Sequence, residues 1–150
     1  MLKTKRLQIV PVTLDALKAY KTKEYPIDKN MSPHISWSLE MSESDPSFLG
    51  WGVWIVIENN KIIGDIGFKG KPNADHVVEI GYGVLPHVQN NGYGTEAVKA
   101  LCHWAFETGI VKKIVANCIA DNQPSIKVLE KLSMKQVGSK DNLLLWELVK

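Results

Sequence analysis

The stretch VLPHVQNNGYGTEA, residues 84–97, decides the fold. It follows an apolar run and precedes a segment with helical spacing, and between them two asparagines and two glycines surround Tyr93. Bare backbone amides at a helix N-terminus bind phosphate, and glycine lets such a ligand come close. We therefore expect an anion site between a strand and a helix.

Length and composition indicate an ordinary globular protein, and we expect residues 1–150 to form one domain. Hydrophobic residues make up 45% of the chain and charged residues 23%, which is typical of soluble domains. A net charge of +2 is too small to indicate a nucleic acid or a membrane surface as partner. The chain opens without a signal-peptide pattern, and its apolar runs are too short to span a membrane, so we expect a cytoplasmic protein.

The cysteines and histidines do not indicate a metal site. Cys102 and Cys118 are expected to be small buried side chains in a reducing compartment. The four histidines lack the spacing to a cysteine or carboxylate that metal ligands show.

Hydrophobic periodicity and turn residues predict an alternation of strands and helices. We expect a first strand over 5–12, a helix capped by Thr13, and loops with short helices over 25–50. Strands over 51–58 and 61–70 flank a turn at Asn59 and Asn60, and a further turn at 70–75 leads to a strand over 76–86. A helix from Gly94 to Glu107, ended by Gly109, precedes a strand over 112–120. A short helix over 121–132 and strands over 135–138 and 143–149 close the chain.

This order predicts an α/β fold of the α+β type. An antiparallel meander is followed by a strand-helix-strand crossover, which implies one mixed sheet with helices on both faces. An exposed last strand would suit pairing between copies, so we expect a monomer or a homodimer.

Three interpretations compete for residues 89–97, QNNGYGTEA, which we call the glycine turn. Gly92 and Gly94 could simply shape a turn. Alternatively, GYGTEA fits the Gly-x-Gly-x-x-Ala pattern of a dinucleotide-binding site, with Asp121 at the end of the next strand as the ribose ligand. That pattern places its first glycine directly after the strand, whereas residues 86–91 intervene here.

The third interpretation uses more of the chain. Residues 89–94, QNNGYG, follow a strand and Pro86 and fit the pattern Gln/Arg-x-x-Gly-x-Gly/Ala. This segment resembles motif A of the GNAT superfamily of acyl-CoA-dependent N-acetyltransferases. EIGYGVLP resembles the family strand that pairs with the pantetheine arm, and ADNQPSIKVLEKLSM resembles the block that follows. LKTKRLQIVPVTLDAL is similar to the opening of the branch that contains the ribosomal-protein alanine N-acetyltransferases.

The resemblance implies a GNAT-like fold and direct transfer of an acetyl group from acetyl-CoA, as cosubstrate, to a primary amine. The amine acceptor would be a protein or peptide N-terminus or a small amine, and no metal, nucleic acid or membrane is implied. The alternative is a CoA-binding sensor or interaction module without catalysis. The implied cofactor-binding residues are Gly83, Val84, Gln89, Asn90, Asn91, Gly92, Tyr93, Gly94, Thr95 and Asn122. The backbone amide of Val84 would polarise the thioester carbonyl.

Two residues are implied in catalysis. Glu79 stands where several GNAT enzymes carry a base, although a surface ion pair or a role in shaping the pocket would also explain it. Ser125 matches a serine that protonates the leaving thiolate in the alanine N-acetyltransferase branch, but it is also an ordinary first-turn helix residue. Asn122 has a second interpretation as a helix N-cap.

The chain departs from the family pattern at two positions. Leu129 stands where many members have a tyrosine as general acid. Because leucine cannot donate a proton, that role passes to Ser125 or to solvent. Ser133 and Met134 replace a Gly-Phe pair, which puts local packing in doubt. Four aromatic residues are candidates for an acceptor pocket or for plain packing: Trp37, Trp51, Trp54 and Tyr82.

Overall fold

The computed structural model describes residues 1–20, 33–84 and 92–150. Its strands are β1 (Leu2–Lys3), β2 (Gln8–Pro11), β3 (Val53–Glu58), β4 (Lys61–Phe68), β5 (Val77–Val84), β6 (Lys113–Ile119), β7 (Lys135–Lys140) and β8 (Leu143–Val149). Its helices are α1 (Leu14–Tyr20), α2 (Pro33–Ser44), α3 (Tyr93–Glu107) and α4 (Gln123–Lys131), with a 3-10 turn at Pro46–Phe48. Within these ranges, no helix is long and apolar enough to cross a membrane.

The eight strands form one mixed sheet in the order β1-β2-β3-β4-β5-β6-β8-β7. Neighbouring strands are antiparallel except β5 and β6, which are parallel and are joined through α3. The predicted meander and crossover are therefore confirmed. The expected exposed last strand is wrong, because β8 lies between β6 and β7 and pairs with both.

Helices cover both faces of the sheet, as predicted. On β3, Trp54 and Val56 join the core under α3 and α4, whereas Val53, Ile55 and Ile57 join a second core under α1 and α2. Successive strand residues point to opposite faces, so this continuously apolar strand supplies both cores.

Turn residues fix the connections that local sequence predicts. Asn59 and Asn60 have φ of 51° and 64°, the left-handed pair that a tight hairpin between β3 and β4 requires. Gly109, with φ of 79°, follows the last turn of α3. Ser133, at the family glycine position, has φ of 63°, and Met134 behind it is buried, so the departure at these two residues keeps the local geometry.

The first 50 residues differ most from prediction. Instead of one strand over 5–12, β1 and β2 form a hairpin, closed by a hydrogen bond from the Thr4 amide to the Leu7 carbonyl at 2.9 Å. The predicted cap of α1 is confirmed by Thr13, whose hydroxyl accepts from the Ala16 amide at 3.0 Å. Where only short helices were expected, α2 runs for twelve residues, because Pro33 begins the helix instead of interrupting it.

Candidate active site

The sheet opens between β5 and β6. These strands pair only at Val77, Val78 and Glu79 of β5. Farther along, residues 80–84 pair with β4 and residues 116–119 pair with β8. In the described part of the chain, the edge of β5 beyond Glu79 thus has no strand beside it. Backbone amides and carbonyls require partners, so this edge suits an extended ligand with amide groups.

The open end of β5 leads toward the N-terminus of α3. Gln89, Asn90 and Asn91 fall outside the described residues. Gly92 is the N-cap of α3 with φ of 79°, and it has no side chain to offer to the amides of the first turn. These amides carry the positive end of the helix dipole. The helix therefore presents the positive end of its dipole at Tyr93, Gly94 and Thr95.

An ion-pair network holds this helix end against the N-terminal hairpin. The Glu96 carboxylate accepts from the Thr4 hydroxyl, from the Arg6 amide at 3.0 Å and from Arg6 Nε at 2.8 Å. Burial acts to raise the pKa of Glu96, but the hydrogen bonds from Thr4 and Arg6 outweigh it and hold the pKa below its ordinary value. The first turn of α3 is thereby fixed to Thr4 and Arg6, in the connection between β1 and β2.

Tyr93 extends the network to the β3–β4 hairpin. The Arg6 guanidinium lies 4.2 Å from the centre of the Tyr93 ring, which is cation–π distance. The Tyr93 hydroxyl donates to Glu58 Oε2 at 2.7 Å, and this bond to a carboxylate raises the pKa of Tyr93. These two contacts of Tyr93, with Arg6 and with Glu58, hold the N-terminus of α3 in place.

The first turn of α4 faces the end of β5 across the opening. Asn122 is the N-cap of α4, and its Oδ1 accepts from the Ser125 amide at 3.3 Å. The Tyr82 hydroxyl donates to the Ser125 carbonyl at 3.1 Å. Burial raises the pKa of Tyr82. The structure therefore brings Ser125, Asn122 and Tyr82 together at one side of the opening.

Glu79 lies on the other face of the sheet. Its neighbours on β5, Val78 and Ile80, are buried in the core under α3, and strand alternation directs Glu79 away from that core. Its carboxylate forms an ion pair with the Lys69 ammonium. The two candidate catalytic residues, Glu79 and Ser125, thus approach the opening from opposite faces.

Two glycines that face each other on β4 and β5 lie near Glu79 in the sheet. Gly67 pairs with Gly81, yet their surroundings differ. A Cβ on Gly67 would lie 2.3 Å from the Gly52 carbonyl oxygen, whereas a Cβ on Gly81 would meet, among described residues outside 80–82, only Lys69 Cε, at 3.9 Å. In the described part of the chain, the space above Gly81, on the face that carries Glu79, is therefore bordered by the Lys69 side chain alone.

Leu129 and two of the candidate pocket aromatics belong to the core. Leu129 is fully buried, so the position of the family's usual acid holds an apolar side chain inside the protein. Trp51 and Trp54 are also buried and pack against Trp104. Trp37 is partly buried and packs edge-on against Phe48. Of the four predicted aromatics, Tyr82 is placed at the opening by its hydrogen bond to Ser125.

The cysteines are buried, as predicted. Cys102 is 3% exposed and Cys118 is 7% exposed. Burial raises the pKa of the Cys102 thiol to about 12. Cys102 is therefore a packing residue and not a nucleophile.

Sequence reasoning assigned no role to Arg6 and Lys69. Arg6 lies in the opening segment LKTKRLQIV, which resembles the opening of the alanine N-acetyltransferase branch. That resemblance was the one sequence feature that pointed to a role for Arg6. Lys69 has no local signal, because its contact with Glu79 depends on the register between β4 and β5. The contacts of both residues can be identified only from the three-dimensional structure.

The arrangement fits a long ligand with amide groups and phosphates. The free edge of β5 offers backbone partners, and the glycine-capped terminus of α3 offers amides to an anion. A carboxylate on one face and two hydroxyl groups on the other can accept and donate protons. These elements suit the transfer of an acyl group from a thioester to an amine.

Comparison with known proteins agrees with this arrangement. The family described as the Acetyltransferase (GNAT) domain matches residues 6–135. The uncharacterized N-acetyltransferase YjdG of Bacillus subtilis is 29% identical to this chain over 147 residues, which cover 88% of each protein.

Solved structures share the fold. The ribosomal-protein-S5-alanine acetyltransferase of Vibrio fischeri has a TM-score of 0.72 at 18% identity, over 99% of this chain and 95% of its own. RimL, a ribosomal L7/L12 alpha-N-protein acetyltransferase in complex with coenzyme A, has a TM-score of 0.73 at 13% identity, over 97% and 95%. The resemblance predicted from the glycine turn is confirmed, and the likeness to the ribosomal-protein branch is confirmed in the fold.

Proposed function

Because the chain belongs to the GNAT acetyltransferase family, we propose that it transfers the acetyl group of acetyl-CoA directly to a primary amine. The observation that carries the proposal is the opening between β5 and β6, which leads to the glycine-capped terminus of α3. Acetyl-CoA, as cosubstrate, supplies an activated acetyl group. We infer that residues 1–150 work as one domain and that no metal takes part.

The proposed cofactor contacts are mostly backbone. Gly83 and Val84, on the free edge of β5, bind the pantetheine arm, and the Val84 amide polarises the thioester carbonyl. Asn122 contacts the same arm from α4. The amides of residues 89–95 bind the pyrophosphate, aided by the helix dipole at about 0.3–1 kcal/mol for each favourable charge interaction.

Glu79 is the proposed base. Neutralising an amine at pH 7 costs about 1 kcal/mol for an α-amino group and about 4.6 kcal/mol for a lysine-like amine. A base is therefore optional for the first class of acceptor and nearly required for the second. Glu79 lies beside the open space above Gly81, where an acceptor can approach without passing through the core.

Ser125 is the proposed acid for the leaving thiolate, and Tyr82 is the second candidate. The Tyr82 hydroxyl donates to the Ser125 carbonyl at 3.1 Å, and a tyrosine is protonated at neutral pH. Many family members carry a tyrosine as general acid at the position of Leu129. Either the Ser125 or the Tyr82 hydroxyl takes over that role here.

The proposed acceptor is a protein or peptide N-terminus or a small amine. Two structural neighbours are named for acetylation of ribosomal proteins, which supports a protein terminus. We propose neither a nucleic acid nor a membrane as partner, and we expect a monomer or a homodimer. The two free, buried cysteines suit a reducing compartment, so we place the protein in the cytoplasm.

A CoA-binding module without catalysis is the alternative, and one observation favours it. Leu129 is fully buried where many family members carry their acid. Such a module would bind CoA with the same residues but would not release free thiol in the presence of any amine.

The test combines binding and turnover. Calorimetry with CoA measures affinity, and free-thiol release from acetyl-CoA with peptides, polyamines and aminoglycosides measures transfer. Gly92→Ala should weaken CoA binding. Gly109→Ala is the matched control, because both glycines have φ of 79° and lie at opposite ends of α3. Equal affinity of the two folded variants for CoA would contradict the proposed phosphate site.

A further inference from the structure

Lys69 lies across the face of the sheet on which Glu79 and Gly81 stand. Its amide donates to the Glu79 carbonyl at 3.0 Å, which places it directly after β4 and beside β5. Its Cε passes 3.9 Å from the position of a Cβ on Gly81, and among the described residues no other heavy atom outside residues 80–82 lies within 4 Å of that position. Its ammonium group ends on the Glu79 carboxylate. A four-carbon stem and a primary ammonium thus fill the open space above Gly81.

We propose that Lys69 is an internal occupant of the acceptor-amine subsite and thereby sets acceptor specificity. The proposal rests on the proposed function, in which Glu79 takes the proton of the acceptor. Because the subsite already holds a primary ammonium on an unbranched aliphatic stem, it fits an acceptor of that class. The acceptor must displace the Lys69 ammonium to reach Glu79.

The lysine is held loosely enough to be displaced. Its side chain is 64% exposed, whereas that of Glu79 is 29% exposed. Ion pairs between exposed groups contribute little because water competes for both partners. We therefore expect the competition to weaken the binding of any acceptor that enters the subsite about fivefold, without blocking it.

A structural role for Lys69 predicts a different result. If the ammonium serves only to orient Glu79, its removal should lower kcat and leave the KM of the acceptor unchanged. If it occupies the subsite, its removal should lower that KM about fivefold and leave kcat within about twofold. The two roles are separated by the same kinetic measurement.

Lys71 provides a matched control. It lies two residues farther along, is also exposed, and pairs through its Nζ with Asp45 Oδ2 at 2.6 Å. Lys71→Ala removes the same kind of ion pair away from Gly81 and should leave acceptor kinetics unchanged.

The experiment has a binding arm and a kinetic arm. n-Butylamine, which copies the Lys69 stem, is titrated into wild type, Lys69→Ala and Lys71→Ala while the Gly81 amide resonance is followed by NMR. tert-Butylamine serves as the branched control. We expect n-butylamine to shift this resonance in Lys69→Ala at about fivefold lower concentrations than in wild type and Lys71→Ala, and tert-butylamine to have no such effect. The kinetic arm measures KM and kcat for 1,4-diaminobutane.

The outcomes separate this proposal from the proposed function. Equal responses of all three proteins to n-butylamine, or an unchanged KM in Lys69→Ala, would overturn the role of Lys69 even if wild type releases thiol. Selective binding of n-butylamine by Lys69→Ala, with no CoA binding by wild type, would retain the amine subsite and refute acetyl transfer.

Discussion

Substitution of alanine at the paired glycines of β4 and β5 should give opposite results. Gly67 and Gly81 face each other in the ladder, so their secondary structure is the same. On Gly67, a Cβ would lie 2.3 Å from the Gly52 oxygen and 2.9 Å from Val53 Cα. Both are backbone atoms, which no change of side-chain rotamer can move away. On Gly81, the added methyl group would make an ordinary contact with Lys69.

The expected magnitudes follow from these contacts. Overpacking a well-filled site costs about 1–3 kcal/mol. Moving Gly52 also disturbs the hydrogen bond that its oxygen accepts from Phe68 at 3.0 Å, which adds about 1 kcal/mol. Gly67→Ala should therefore destabilise the protein by about 3 kcal/mol, or about 6–12 °C in Tm for a domain of this size. Gly81→Ala should be neutral or stabilise by up to about 1 kcal/mol, because glycine weakens a strand.

Urea denaturation of wild type and both variants, followed by tryptophan fluorescence, measures these free energies of unfolding. The m-values should agree, so that shifts of the midpoint report stability alone. If the two variants are equally stable, or if Gly81→Ala is the less stable, the packing of Gly52 over Gly67 and the open space over Gly81 are both refuted.

Four further predictions concern side chains that hold or transfer protons. Glu79→Gln should flatten the rise of rate with pH, more for a lysine-like amine than for an α-amino acceptor, and Ser125→Ala should lower kcat up to about 10²-fold with acetyl-CoA binding nearly intact. pH–rate profiles with one verified acceptor test both, and unchanged profiles would make the two residues structural. Glu96→Gln should lose about 1–2 kcal/mol at pH 7. Its pKa is lowered from 4.5 in the folded state, so its stabilisation is present above pH 4.5 and is lost as pH falls through the lowered value. Thermal melts at pH 7 and pH 3 should therefore show the difference from wild type shrinking at the lower pH. Cys102, with a pKa of about 12, should resist iodoacetamide at pH 8 in the native protein, and rapid labelling seen by mass spectrometry would contradict its burial.

Local signals predicted the fold after residue 50 well. Asn59 and Asn60 carry the left-handed geometry of a hairpin, and Gly109 and Asn122 mark where helices end and begin. Each of these signals acts within a few residues of the structure that it specifies. For this reason the meander, the crossover and the C-terminal strands could be predicted from spacing alone.

Features that depend on distant pairing could not be predicted in this way. The position of β8 between β6 and β7 is decided by which strand covers an edge, and the local pattern of residues 143–149 does not record it. The twelve-residue α2 differs from the loops and short helices expected over 25–50, because Pro33 breaks the local apolar pattern even though proline is tolerated in the first turn of a helix.

The candidate site was predicted as a set of residues but not as a geometry. The family pattern supplied Glu79, Asn122 and Ser125, and their backbone positions suit an opening in the sheet. Lys69 on Glu79 and Tyr82 on Ser125 arise from contacts between elements 10 and 43 residues apart in the chain. Such contacts follow from register and from the parting of β5 and β6.

Amide hydrogen exchange with and without acetyl-CoA tests the central claim most directly, because the claim is that the opening between β5 and β6 binds this cosubstrate. Acetyl-CoA should slow exchange at those amides of residues 80–84 that point to the free edge of β5 and at the first turn of α3, while amides of β3 stay unchanged. Binding of acetyl-CoA without added protection at residues 80–84 would contradict the account, because the ligand would then lie elsewhere.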